Sequence, residues 1–136
     1  MDDVIIEKAA SIERCLVRIK EEYDLAGENF DTDYSHQDAA ILNLQRACEQ
    51  SIDLSNHIIR VNKWGVPCSS RESFDILVEK EFIPVKLGES LKKMVGFRNI
   101  AIHEYGRMNI VILKKIILDH LVEFKKFITI GLKSEH

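Results

Sequence analysis

A chain of 136 residues with 46% hydrophobic and 30% charged side chains can bury one core and is too apolar for a disordered protein. We therefore expect a single domain over residues 1–136. The acidic start of the chain and the two lysines within its apolar stretch 110–118 argue against a secretory signal and a membrane span. Cys15, Cys48 and Cys68 form no CxxC pair, so we expect reduced thiols, no zinc and a cytoplasmic location.

Acidic and basic residues are unevenly distributed along the chain, although the net charge is only -3. Residues 1–33 carry ten acidic and four basic side chains, and residues 34–85 carry seven and five. Residues 86–133 reverse this balance, with ten basic side chains against four acidic ones. Such an asymmetry favours contact with a polyanion or self-association through opposite charges, and charged helix faces in solvent are the plainer alternative.

The spacing of apolar residues predicts helices throughout the chain. Apolar side chains recur at steps of three and four, while proline and glycine occur at the gaps, so we expect an all-α fold of about five helices. The first helix is predicted over residues 2–23, before a turn at 27–31. The second is predicted over residues 34–62, and Trp64 is expected to anchor the loop that follows.

A short third helix is predicted from Ser69 to about Lys80. Ser69 and Glu72 have the spacing of a capping box, in which Ser69 accepts a backbone N–H and Glu72 reaches back. Pro84 interrupts the chain again before the fourth helix.

The fourth helix is predicted over residues 87–102, with Gly106 as a left-handed cap. The fifth helix begins near Asn109, continues to about Ile130 and is apolar around much of its circumference. A helix of this kind is typically central in the fold or in contact with another subunit.

Chemically active side chains are concentrated at the end of the fourth helix, at Arg98, Asn99, His103 and Tyr105. Arg98 and His103 are five residues apart, which separates them by about 140° around an ideal helix. One site can use both only if the helix unwinds near Gly106 or if a second copy of the helix shares the site. We favour the second arrangement, with a two-fold axis beside the fourth helix, because isologous dimers are the commonest oligomers.

This combination resembles the HEPN superfamily, and more narrowly the HepT-type toxins, whose motif R-x4-H-x-Y is matched by Arg98, His103 and Tyr105. The resemblance covers the whole chain in helix layout and is specific over residues 98–105. It implies a homodimeric antiparallel helical bundle with a metal-independent ribonuclease site. It also implies a type VII toxin–antitoxin system, in which an MNT-type nucleotidyltransferase antitoxin attaches AMP to Tyr105 and assembles with the toxin into a larger hetero-oligomer.

The same residue types suit RNA cleavage by internal transesterification, which needs a base, an acid and a cation at the phosphate. His103 can transfer protons in either direction near neutral pH, and the guanidinium of Arg98 can hold the phosphate. Asn99 lies one turn before His103 and is expected to bond its imidazole. We expect further phosphates to be neutralised by three more basic side chains: Lys92, Lys93 and Arg107. His120 has no assigned role.

Each of these residues also has a structural explanation. Arg98 and His103 could be an interhelical ion-pair donor and a satisfied polar group, and Tyr105 could simply pack. His36 lies near several acids, which raises the question of a metal site, but helix capping explains those acids more simply. His57 is expected on a helix surface or in an interface.

Two other functional classes fit an all-helical chain of this kind. The first is a noncatalytic HEPN module that docks a nucleotidyltransferase or binds a nucleotide, and the second is a structural dimer. Neither needs Arg98 and His103 together, so the motif favours a ribonuclease. The expected partners are RNA, the nucleotidyltransferase antitoxin and a second copy of the chain, with no cofactor, no metal and no membrane.

Overall fold

The computed structural model describes residues 2–134, apart from the side chain of Arg107. Its α-helices are α1 (Asp3–Ala26), α2 (Tyr34–Asn62), α3 (Ser70–Glu79), α4 (Val85–His103), α5 (Ile110–Lys115) and α6 (Leu121–Lys133). A π-helical turn, Ile116–His120, joins α5 to α6, and these three pieces together form the predicted fifth helix. Residues 2–134 contain no strand, so the all-α prediction is confirmed.

Side chains that accept backbone N–H groups determine where several helices begin. Asp2 Oδ1 accepts from Val4 at 3.0 Å at the start of α1, and Ser69 Oγ accepts from Glu72 at 3.1 Å at the start of α3. Glu72 reaches back to the N–H of Cys68, at 3.1 Å, which is one residue earlier than a standard capping box requires. These contacts satisfy donors that a helix leaves unpaired in its first turn.

Two helix ends differ from the sequence prediction. The first helix extends to Ala26, three residues further than expected, and Gly27 ends it with a φ of +55°. The prediction that Gly106 caps the fourth helix in a left-handed conformation is wrong. Glu104, with φ -139° and ψ 44°, ends α4 after His103, and Gly106 lies within a short 3₁₀ turn without a positive φ.

The core lies between α1, α2, α4 and the fifth helix, with α3 covering one end. Its largest fully buried side chains include Phe30, Phe74, Phe124, Phe127, Leu16, Leu44 and Ile58. Phe74 of α3 packs edge-to-face on Phe127 of α6, with 5.8 Å between ring centroids. Trp64 packs edge-to-face on Phe82 at 6.0 Å, which confirms that it anchors its loop.

The fifth helix is only partly covered by the rest of the chain. Leu113, Ile117 and Phe124 are buried in the core. Its large apolar side chains that remain exposed are Val111, Ile112, Leu118, Val122 and Leu132. Among the described residues, no helix combines the length and the apolar character needed to cross a membrane.

The close approach of α3 to α4 can be tested at Gly88. A Cβ at this position would overlap Cγ2 of Val78, a β-branched side chain with little freedom to move. We expect Gly88→Ala to lower the free energy of unfolding by about 1–2 kcal/mol in denaturant titrations, because overpacking outweighs the gain in helix propensity.

Gly131→Ala is the matched control. A Cβ there would make an ordinary contact, 3.8 Å from Leu54 Cδ2, so this variant should be unchanged or more stable by up to about 1 kcal/mol. Adding Val78→Ala to Gly88→Ala should recover part of the lost stability. Equal stability of Gly88→Ala and Gly131→Ala would contradict the predicted overlap.

Candidate active site

The burial of one face of α4 places the motif at the protein surface. Leu87, Leu91, Val95 and Ala101 are buried on the core side of this helix. Asn99 and His103 lie on the opposite side of the helix and are exposed. Ile100 and Ile102 are exposed as well. The polar residues at the end of α4 are therefore accessible to a large substrate.

Arg98 is half-buried and held by two neutral oxygen atoms. Its Nε donates to Asn99 Oδ1 at 2.9 Å, and its Nη2 donates to Ser70 Oγ at 3.5 Å, at the start of α3. Within residues 2–134, no carboxylate forms an ion pair with this guanidinium. Its direction is thus fixed while its charge remains available to an anion.

His103 is the last residue of α4 and its ring is exposed. The imidazole makes no hydrogen bond with any residue that the structure describes. The expected bond from Asn99 is not formed, and Asn99 Oδ1 accepts a hydrogen bond from Arg98. An exposed imidazole without a partner can exchange protons with a bound molecule or with solvent.

α4 remains helical from Arg98 to His103, which bears on the first of the two arrangements expected for the motif, unwinding near Gly106. The chain leaves the helix at Glu104, which follows both residues, so unwinding near Gly106 does not bring Arg98 and His103 together. About 140° of helix rotation still separates the two side chains. The arrangement in which a second copy of the helix shares the site stays a prediction.

A cleft of about 710 Å³ lies beside the motif, between α4 and the fifth helix. It is lined by Arg71, Ser90, Lys93, Met94, Gly96, Phe97, Asn99, Ile100, Ile112, Lys115, Ile116 and His120. None of these residues is acidic, and two of the apolar ones, Ile100 and Ile112, are exposed. The cleft thus combines positive charge with an apolar surface.

Two members of this cleft were not identified from the sequence. The side chain of Arg71, on α3, packs against Gly96 of α4. A Cβ added at Gly96 would lie 3.0 Å from Arg71 Nη2. A glycine inside a helix can mark such a close approach, but it does not show which residue approaches. His120 had no assigned role, and the π-helical turn places it in the cleft wall.

The three basic residues expected to contact RNA differ in their surroundings. Lys92 forms an ion pair with Asp75, with 2.8 Å between Nζ and Oδ1. Lys93 is exposed and lines the cleft. The side chain of Arg107 lies outside the described residues. Their role in RNA binding stays a prediction.

Tyr105 lies in the 3₁₀ turn after α4, and 45% of it is exposed. Its hydroxyl donates a hydrogen bond to Asp38 Oδ1, on α2. Partial burial and this neighbouring carboxylate raise the pKa of Tyr105 to about 12. Asp38 was not identified from the sequence, since 67 residues separate it from Tyr105 and no local motif connects them.

The other histidines considered above form structural contacts. The ring of His36 lies 2.5 Å from Glu22 Oε2, and its backbone N–H is capped by Asp33 Oδ1. His57 Nε2 lies 2.6 Å from Asp2 Oδ2, so it connects α2 to the start of α1. Residues 2–134 contain no cluster of three or more histidine, cysteine or acidic side chains that could hold a metal ion.

Comparison with known proteins identifies close relatives over nearly the whole chain. The family model described as ribonuclease HepT-like matches residues 12–130. The mRNA nuclease HepT of Shewanella oneidensis is 46% identical over 135 residues, which is 99% of this chain and 100% of that protein.

Solved structures of related proteins also match nearly the whole chain. A tri-AMPylated HEPN toxin of Shewanella oneidensis, in complex with an MNT antitoxin, has a TM-score of 0.93 and 45% identity, covering 99% of this chain and 100% of that one. A toxin–antitoxin crystal structure with AMP-PNP has a TM-score of 0.91 and 44% identity, covering 96% and 99%. The chain described here therefore belongs to the HepT-like ribonuclease family.

Proposed function

We propose that this protein is the toxin of a HEPN/MNT toxin–antitoxin pair. In this proposal it cleaves RNA, and a cognate MNT-type nucleotidyltransferase neutralises it by transferring AMP to Tyr105. Support comes from the family match and from relatives named as an mRNA nuclease and as a HEPN toxin in complex with an MNT antitoxin. The observation that carries the activity is an exposed His103 on the same helix end as an Arg98 free of carboxylates.

RNA cleavage at this site follows from the chemistry of these two side chains. The imidazole of one His103 takes the proton of the ribose 2′-OH, and the 2′ oxygen attacks the adjacent phosphorus. The 5′ oxygen leaves with a proton donated by the second His103, which leaves a 2′,3′-cyclic phosphate. Arg98 stabilises the negative charge that develops on the phosphoryl oxygens. DNA is not a substrate because it lacks the attacking hydroxyl.

The proposal includes a homodimer in which two α4 helices face each other. Because α4 remains regular, Arg98 and His103 of one chain point in different directions, and a two-fold axis brings each beside its counterpart in the other chain. The exposed apolar residues at this end of the fold, Ile100, Ile102 and Ile112, provide surface for such a contact. The cleft then lies at the junction of the two copies.

Basic residues around the cleft extend the contact with RNA beyond the cleaved phosphate. Arg71, Lys93 and Lys115 line the cleft and no acidic residue does, so they can neutralise flanking phosphates. This local surface accounts for RNA binding by a chain whose net charge is -3. RNA as the substrate is consistent with a cytoplasmic location, which we include in the proposal.

We expect Arg98→Ala and His103→Ala each to lower RNA cleavage by about 10²-fold or more, since each removes a group that acts on the reacting atoms. Cleavage should be measured on purified protein in EDTA, with the products analysed for cyclic phosphate ends. Expression of the wild-type chain alone should arrest growth, and neither variant should do so.

Arg60→Ala is a suitable control, because Arg60 is an exposed arginine at the end of α2, away from the cleft. It should retain wild-type activity and toxicity. Full activity of His103→Ala at equal protein level, or a strict metal requirement, would contradict the histidine mechanism.

We expect Tyr105→Phe to remain toxic when the nucleotidyltransferase is coexpressed, because the variant keeps the ring but lacks the oxygen that accepts AMP. Intact-mass analysis should show wild-type chain heavier by about 329 Da per AMP unit and Tyr105→Phe without this increase. Tyr34→Phe, which alters another exposed tyrosine, should be modified normally. A wild-type chain that is neutralised without any gain in mass would contradict neutralisation by AMP transfer.

A further inference from the structure

The hydrogen bond between Tyr105 and Asp38 joins the segment after α4 to the second turn of α2. Both residues are exposed, so a second protein can reach the phenol without a change of fold. Within the described part of the chain, no cation forms an ion pair with Asp38. Its carboxylate is therefore available to the phenol.

A tyrosine that attacks phosphorus must lose its proton. With a pKa of about 12, only about one part in 10⁵ of the Tyr105 phenol is ionised at pH 7. The reaction therefore needs a base at the phenolic oxygen. Asp38 is already in contact with that oxygen, as the acceptor of its proton.

We propose that Asp38 is the general base for the transfer of AMP to Tyr105, an inference that rests on the proposed function. The Oη–H bond of Tyr105 breaks and its proton passes to Asp38 Oδ1, while a bond forms from Oη to the α-phosphorus of a nucleoside triphosphate held by the nucleotidyltransferase. The bond from that phosphorus to the bridging oxygen breaks, and pyrophosphate leaves with the electron pair.

Charge balance favours the same assignment. Before transfer, the pair consists of a neutral phenol and a carboxylate, and after it the pair consists of a phosphodiester and a neutral carboxylic acid. The net charge of the pair thus stays at -1 through the step. If Asp38 remained ionised, the new phosphodiester would form directly beside another negative charge, which is unfavourable.

Other titratable groups lie close to Tyr105 in the sequence. His103 and Glu104 belong to the same segment as Tyr105, and the side chain of Arg107 lies outside the described residues. From α2, the group in contact with the phenol is Asp38. The alternative is a base supplied by the nucleotidyltransferase. The rate of AMP addition to Asp38 variants distinguishes that base from Asp38.

The test measures the rate of the first AMP addition with purified toxin variants, purified nucleotidyltransferase and ATP, followed by intact mass. Asp38→Asn keeps the shape of the side chain but cannot take a proton, so we expect the first addition to slow by about 10²-fold or more at pH 7. Asp38→Glu should recover part of the rate. The defect in Asp38→Asn should shrink as the pH is raised toward 9, because the phenolate fraction grows about tenfold per pH unit.

Asp31→Asn is the matched control. Asp31 is also an exposed acid near this end of α2 and pairs with Lys114, with 3.0 Å between Oδ1 and Nζ. It removes the same charge without touching Tyr105, so it should be modified at the wild-type rate. Circular dichroism and complex formation with the nucleotidyltransferase should be equal for all variants.

The outcomes separate this inference from the proposed function. If wild-type Tyr105 is modified and Asp38→Asn is modified at the same rate, Asp38 is not the base and the nucleotidyltransferase supplies one. A slow Asp38→Asn that has lost complex formation, or whose defect is the same at every pH, also overturns the role as base. If wild-type Tyr105 is never modified, the proposed neutralisation itself fails.

Discussion

The burial of one face of α4 is the constraint on which the rest of the site depends. Leu91 and Val95 hold this face against the core, and the helix stays regular until Glu104. Asn99 and His103 must then face outward, with Arg98 held against the start of α3. The same regularity prevents Arg98 and His103 of one chain from meeting. The proposed two-fold cleft, to which two chains contribute these side chains, is based on this helix geometry.

Charge separates the surface into two chemically different regions. The cleft beside α4 contains Arg71, Lys93 and Lys115 and no acid, which suits a phosphate backbone. Tyr105 lies just beyond the end of α4 but faces Asp38 of the acidic N-terminal half. The phenol thus lies close to the motif in sequence, while the carboxylate that accepts its hydrogen bond belongs to the acidic part of the chain. In the proposed neutralisation, AMP on Tyr105 introduces a negative phosphodiester near the proposed RNA site, which opposes substrate binding.

Local features of the fold could be predicted from the sequence, because they depend on neighbouring residues. The helix periods and the cap at Ser69 follow from short-range patterns. Gly106 was misassigned because glycine permits a left-handed cap without requiring one, and Glu104 ended the helix first. Contacts between distant segments could not be predicted: Asp38 and Tyr105, or Arg71 and Gly96, carry no signal of each other until α2, α3 and α4 are packed.

Mixing two inactive chains tests the shared cleft most directly. Arg98→Ala provides His103, and His103→Ala provides Arg98, so a heterodimer of the two holds one complete pair while neither homodimer holds any. RNA cleavage by the mixture should rise above that of either parent but stay well below the wild-type rate, since only about half of the dimers are mixed and each of these lacks the second His103, so that water must serve in one of the two proton transfers. Heterodimers as inactive as their parents, or a chain that remains monomeric in sedimentation at micromolar concentration, would contradict the account.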